Sequence, residues 1–225
     1  MFYSQSKQDE LLEKNVFKNY KHGIFVDVGA NDGININNTY YFEKNHNWTG
    51  LNVEPIPETF KKLVENRPKC INLNCAVSNV DGEVDFVMNT GYTEMISGIK
   101  NNYDQRHFER LIRENQQMGS TTTIVKVPSK RLETIFDDHN IRYVNYLSID
   151  VEGAEFDVIK SINFDKVFID VIGFENNYED TSVPIVKYLE DKNYTTIIKY
   201  SDILMVNRDS VFFKLNVIEQ EKLKE

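Results

Sequence analysis

The amino-acid sequence predicts an α/β fold: a mostly parallel, seven-stranded sheet with helices on both faces. Three observations predict it. Short, β-branched apolar runs alternate with helical stretches along most of the chain, and right-handed crossovers turn that order into a parallel sheet. The run Ile24-Phe25-Val26-Asp27-Val28 is near-continuously apolar, as expected of a strand covered on both faces. It leads into a glycine-rich turn, Gly29-Ala30-Asn31-Asp32-Gly33, where the backbone can bend tightly and approach a ligand. The 225 residues fit one such domain, 1–225, and leave little room for a second.

After the first strand, residues 36–46 are predicted helical, with Tyr40, Tyr41 and Phe42 on the apolar side. Gly50 to Glu54 is the second strand, stopped by Pro55 and Pro57. Residues 57–66 form a helix with Phe60, Leu63 and Val64 on one face. Cys70 to Asn74 is the third strand. The stretch from about 80 to 140 is too long for a plain crossover and reads as an insertion between the third and fourth strands that can cover a pocket. Within it, Asp81-Gly82 marks a turn, 83–88 and 121–127 are strands, 89–100 is an ordered loop, and 103–117 is a polar, solvent-facing helix. Pro128 and Ser129 open a helix that runs to about 139. Regular order then returns. The fourth strand is 144–149, a helix spans 153–162, and the fifth strand is 168–174. A helix at 184–192 precedes a strand at 194–200 and a final strand pair, 203–206 with 211–213.

Composition narrows the function classes. Hydrophobic residues are 40% of the chain, with 14 Phe and 12 Tyr, enough for a sizeable core. The net charge of −9 disfavours nucleic acid as a partner, because an acidic surface repels phosphate. No apolar run approaches the roughly 20 residues of a membrane span, and the polar start MFYSQSKQDELLEK reads neither as a signal peptide nor as an anchor. Cys70 and Cys75 lie about 16 Å apart along one strand, too far for a disulfide. Both are expected to be reduced thiols in a cytoplasmic protein. No Cys/His cluster points to zinc, and an oligomer is compatible with everything in the sequence.

The chemistry concentrates at strand ends. Glu54 closes the second strand 21 residues after Gly33, where a carboxylate can accept both ribose hydroxyls of an adenosine group. The glycine turn does not have the GxGxxG spacing of a dinucleotide site. Asn31 occupies the second glycine position and Asp32 follows; an anionic Asp32 repels pyrophosphate and favours a cationic group, and Asp27 within the strand acts in the same sense.

Several segments in order carry a resemblance: Ser4-Gln5 with Gln8-Asp9, FVDVGANDG at 25–33, Asn38-Thr39 with Phe42-Glu43, Trp48 to Leu51, Val53-Glu54-Pro55, Asn74 to Val77, Ser97-Gly98-Ile99 and LSIDVEGAE at 147–155. Together they resemble the FkbM family of methyltransferases; Lys7 stands where that family often has glycine. The resemblance implies a Rossmann-like class I methyltransferase fold, S-adenosylmethionine (SAM) as methyl donor and often a hydroxyl acceptor on a sugar or natural product. It implies Gly29 and the backbone of Ala30, Asn31, Asp32 and Gly33 along the methionine part of the donor and Glu54 at the ribose. Cys75, Ala76 and Val77 would flank the adenine, and Gln8 would cap the donor's carboxylate.

Asp150 ends the fourth strand and points toward the reactive end of the donor or the acceptor. Glu152 and Glu155 begin the following helix, where interaction with the helix dipole is the simpler account of Glu155. A sugar hydroxyl is a poor nucleophile at neutral pH and needs a base or a metal. Asp150, Glu152 and Glu175 are therefore the candidate catalytic residues. Asp150, Glu175 and Asn176 form an acid, acid and amide set that suits Mg²⁺ and resembles that of catechol-type methyltransferases. His107, in the insertion, is the one histidine placed to reach the pocket. These residues lead to an expected SAM-dependent O-methyltransferase acting on a sugar, free, nucleotide-linked or within a glycan. The alternatives are a polyketide, lipid or other small-molecule acceptor, or a SAM-binding module without catalysis.

Overall fold

The computed structural model describes residues 1–215; residues 216–225, the end of the expected 1–225 unit, lie outside the described residues. The chain begins with α1 (Gln8–Leu12), continued by a π-helical turn at Glu13–Phe17, then β1 (Ile24–Val28), α2 (Tyr40–His46), β2 (Thr49–Val53), α3 (Pro57–Asn66) and β3 (Ile71–Leu73). The insertion holds β4 (Ala76–Val77), β5 (Gly82–Asn89), β6 (Gly98–Ile99), α4 (Gln105–Met118) and β7 (Thr122–Lys130). After it come α5 (Leu132–Asp138), β8 (Tyr143–Ile149), α6 (Glu155–Lys160), β9 (Phe168–Glu175), α7 (Glu179–Asp191), β10 (Tyr194–Lys199) and β11 (Asp202–Asn207).

Seven strands form the main sheet in the order β10-β11-β9-β8-β1-β2-β3. β3, β2, β1, β8 and β9 run parallel, and β11 is antiparallel to both its neighbours. In the central register Val26 stands beside Leu51 on one side and Leu147 on the other. This is the Rossmann-like architecture expected of a class I methyltransferase. Alternate residues of β1 feed two cores. Val26 and Val28 pack with Leu51, Leu147 and the α5, α6 and α7 side chains Leu132, Val158 and Leu189. Phe25 packs on the opposite face with Leu12, Phe17, Phe42 and Trp48. Each such buried side chain contributes about 1.5–3 kcal/mol by leaving water.

The insertion forms its own four-stranded sheet, β4-β7-β5-β6, and starts earlier than expected, at Ala76. Two corrections concern its far end. The strand expected at 121–127 continues to Lys130, because pairing with β5 extends to Gly82↔Ser129 and overrides the local Pro-Ser start signal. The helix then begins only at Leu132, and its Leu132, Ile135 and Phe136 belong to the main core. α2 starts at Tyr40 rather than 36, because Asn37 Oδ1 accepts the N–H groups of Thr39 and Tyr40 and sets the first turn there. α7 starts at Glu179, with Pro184 inside it. Residues 211–215 are helical, so no strand forms at 211–213; β11 pairs with β10 and β9 instead. Lys7 adopts φ 65°, the left-handed conformation in which glycine is strain-free.

Candidate active site

The parallel strands end along one edge of the sheet and open there into a cleft. β1 delivers Gly29 and Asn31 to this cleft, β2 delivers Glu54, β8 delivers Asp150, and β9 delivers Glu175. The turn after β1 is held by N–H groups of Gly29 and Ala30, which both donate to the Val53 carbonyl at 3.0 Å. Gly29 has φ 86°, and a Cβ there would lie 1.8 Å from the Asp150 carbonyl oxygen, so only glycine lets the two strand ends approach.

Glu54 is buried at 5% exposure and is held by two backbone donors. The Asn31 N–H donates to Oε2 at 3.0 Å and the Ile56 N–H to Oε1 at 2.8 Å. A carboxylate oxygen accepts more than one hydrogen bond, so each retains capacity for a ligand hydroxyl. Burial pushes the Glu54 carboxyl up to about 7, against the pull of the Ile56 and Asn31 N–H groups and with small additions from Glu94 and Asp27. The folded state therefore binds a proton that the unfolded chain, titrating near 4.5, does not. Stability from this group is complete below pH 4.5 and is lost as pH rises toward about 7. At 1.36 kcal/mol per unit the loss is about 3 kcal/mol. Asp150, Glu152 and Glu175 add to it in the same direction, whereas His107, whose burial lowers its own value, opposes it. Urea unfolding of the ligand-free protein is expected to show lower stability at pH 7.5 than at pH 5. Equal or greater stability at pH 7.5 would contradict this account of Glu54.

At the other end of the cleft, Asp150, Glu152 and Glu175 place carboxylate oxygens within 4.8 Å of one another. Asp150 is exposed to the cleft yet densely surrounded by protein. Burial is the largest cause raising all three carboxyls; neighbouring carboxylates add to it, Asp202 and Glu155 first for Asp150, and Asp150 first for both Glu152 and Glu175. Such a group shares protons among its members or holds a cation. Glu152 sits in a left-handed turn at φ 57°, and its Oε2 lies 3.2 Å from Nε2 of His107, a buried α4 side chain. Neither atom has an aligned hydrogen-bond partner. The insertion thus backs the carboxylates: His107 meets Glu152 rather than the open cleft. Glu155 points elsewhere, accepting the Val151 and Gly153 N–H groups before α6.

Of the residues expected at a ligand, Gly29, Asn31, Glu54, Cys75, Ala76, Val77, Asp150, Glu152 and Glu175 line the cleft. Six do not. Asp27 is buried beneath the turn, accepting hydrogen bonds from Asn37 Nδ2 and Thr39 Oγ1, both at 2.8 Å. Ala30 is buried, its carbonyl accepting from Gly33 N–H and Asn37 Nδ2. Asp32 caps its own turn, accepting the N–H groups of Ile34 and Asn35. Gly33 packs against Leu63 and Arg67. Gln8 is buried and donates to Asp202 at 2.6 Å, while Gln5 of the same segment reaches the cleft. Asn176 donates through Nδ2 to the Tyr200 carbonyl and keeps its Oδ1 buried without a hydrogen-bond partner, while Glu152 stands beside Asp150 and Glu175. The insertion supplies what sequence reasoning missed: Phe86, Glu94, Met95, Ser97 and Ile99. The Ser97-Gly98-Ile99 segment was the available signal, since it belongs to the family resemblance.

A model of the methyltransferase FkbM domain matches residues 27–196, and the chain belongs to that family. Among solved structures it is similar to methyltransferase FkbM from Methylobacillus flagellatus KT, with 11% identity and a TM-score of 0.49 over 82% of this chain. It spans 43% of that protein's length. A precorrin-6y C5,15-methyltransferase from Geobacter metallireducens GS-15 is 11% identical, with a TM-score of 0.43 over 83% of this chain and 79% of that one. A TehB-like SAM-dependent methyltransferase from Corynebacterium glutamicum is 8% identical, with a TM-score of 0.41 over 92% and 86%. No curated protein matches the chain in sequence. Among the described residues no helix is long and apolar enough to cross a membrane.

Proposed function

We propose that this chain is a SAM-dependent O-methyltransferase whose acceptor is a hydroxyl of a sugar. The observation that carries the reading is one continuous cleft with Glu54 toward one end and the Asp150, Glu152 and Glu175 carboxyls at the other. The residues present fit the donor. Glu54 has free acceptor capacity for a ribose diol, and Gly29 keeps the turn free of side-chain bulk. Ile56, Ala76, Val77, Phe86 and Ile99 offer apolar surface for a heteroaromatic ring. When bound, SAM supplies a methyl group on a positively charged sulfur. The chain's own part is to hold donor and acceptor in line, exclude water and take the hydroxyl proton on a carboxylate. Asp150 and Glu152 are the proposed bases, with Glu175 beside them. An Mg²⁺ ion held by the same carboxyls is the alternative way to activate the hydroxyl. A net charge of −9 and an acidic acceptor end favour a neutral polyol over a nucleic acid.

S-adenosylhomocysteine (SAH) is expected to raise the unfolding temperature, with a gain of about 2.7 kcal/mol at one hundred times Kd. NAD is expected to give no comparable shift; the reverse pattern would refute the donor assignment. Turnover of labelled SAM against free sugars, nucleotide sugars, phenols and lipids then identifies the acceptor. Methylation confined to the last two classes would overturn the sugar assignment.

Glu54→Ala removes the ribose acceptor and leaves the Asn31 and Ile56 N–H groups without their partner. Charged hydrogen bonds are worth about 1.5–3 kcal/mol, so SAH affinity is expected to fall about ten-fold or more. Calorimetry showing unchanged affinity would remove Glu54 from the ribose.

A further inference from the structure

The geometry points to Glu94, from the insertion, as the residue that reads the base of the donor: we infer that it accepts a hydrogen bond from the 6-amino group of adenine. This rests on the proposed use of SAM. Glu94 lines the same cleft as Glu54. Its Oε1 accepts the Thr59 hydroxyl at 2.7 Å, which ties the Gly91–Ile96 turn to α3 and leaves Oε2 for another donor. Thr59 is itself buried and lines the cleft, so the anchor is fixed within the site.

Sheet order places this pair at the base rather than at the reacting methyl. Asp150 and Glu175 follow β8 and β9, whereas Thr59 lies on α3, just beyond the end of β2 and Glu54. The main sheet runs from β9 and β8 through β1 and β2 and ends at β3, on the side away from the carboxyl group. From β3 the chain passes directly into Ala76 and Val77, the first strand of the insertion's own sheet. Ile56 and Ala76, next to Glu54 and β3, line the cleft and share one apolar cluster with Phe86 and Ile99. The same cluster reaches Val151 and Ala154 on the side of Asp150, so its Ile56–Ala76 end is the part beside Thr59 and Glu94. An apolar slot with one anchored acceptor at its edge suits a flat ring bearing a single outward N–H donor. Adenine has that donor. Hypoxanthine and guanine carry a carbonyl oxygen there, which would face Glu94 oxygen to oxygen.

The test compares binding of SAH and S-inosylhomocysteine by calorimetry to the wild type, E94Q, E94A and T59V. The wild type is expected to prefer SAH by about ten-fold or more, the size of one charged hydrogen bond. E94A should bring the ratio close to one. E94Q should narrow it by binding the inosyl compound better, since an amide can turn its N–H₂ toward a carbonyl. T59V, which frees Glu94 without removing it, should fall between. A general loosening of the fold would weaken both ligands alike and leave the ratio intact. An unchanged ratio in E94A and E94Q, with SAH still bound, overturns the role of Glu94 alone. Failure of the wild type to bind SAH would instead overturn the donor reading on which it rests.

Discussion

Replacing Asp150 with Asn, or Glu152 with Gln, is expected to lower methyl transfer by 10²–10⁴-fold, the usual contribution of a positioned acid or base. Glu175→Gln should follow, because its carboxyl lies within 4.8 Å of the other two. SAH affinity should change little in all three if, as proposed, these residues act on the acceptor. The prediction has two readouts, so a folding defect that weakens binding separates from loss of chemistry. Activity that disappears in EDTA and returns with Mg²⁺ or Mn²⁺ would assign the three carboxyls to a cation. Full activity in EDTA would assign proton transfer to a carboxylate. Near-normal turnover in all three variants would refute the catalytic role of the cluster.

Gly29→Ala is expected to be the most damaging single methyl group in the molecule. Two costs combine. At φ 86° an L side chain is strained, and the added Cβ would stand 1.8 Å from the Asp150 carbonyl oxygen, a backbone atom that cannot swing aside. Backbone strain of about 1–3 kcal/mol adds to overpacking of about 1–3 kcal/mol. Relief requires the ends of β1 and β8 to separate, which would also displace Asp150 from Glu152 and Glu175. Gly119→Ala provides the control, because Gly119 has φ 68° and open space around it. It isolates the conformational cost, about 1–2 kcal/mol. Urea unfolding that finds the two substitutions equally costly would show that the close approach of turn and strand is absent in solution.

Patterns within a strand or across one turn were legible in the sequence of this protein. The buried strands at 24–28, 144–149 and 168–174 announce themselves because parallel strands covered on both faces are nearly all apolar. Strand ends in a parallel sheet converge on one edge, so the sequence alone assigns Gly29, Glu54, Asp150 and Glu175 to a common rim. What the sequence could not decide is where polar groups at that rim spend their hydrogen bonds. Asp27 and Asp32 look like ligand groups in the motif, yet tertiary packing gives Asp27 to Asn37 and Thr39 and gives Asp32 to its own turn. Gln8 and Gln5 are indistinguishable by type; the Asp202 carboxyl, 194 positions away, claims Gln8 and leaves Gln5 to the cleft. The insertion's contribution was hidden for the same reason. The approach of Glu94 to Thr59, and of His107 to Glu152, joins residues 35 and 45 positions apart, and no local period encodes such distances. By itself the sequence determined which strands exist and which of their ends meet; only the tertiary structure decided which side chains there remain free to act, because hydrogen-bonding capacity is settled by neighbours in space.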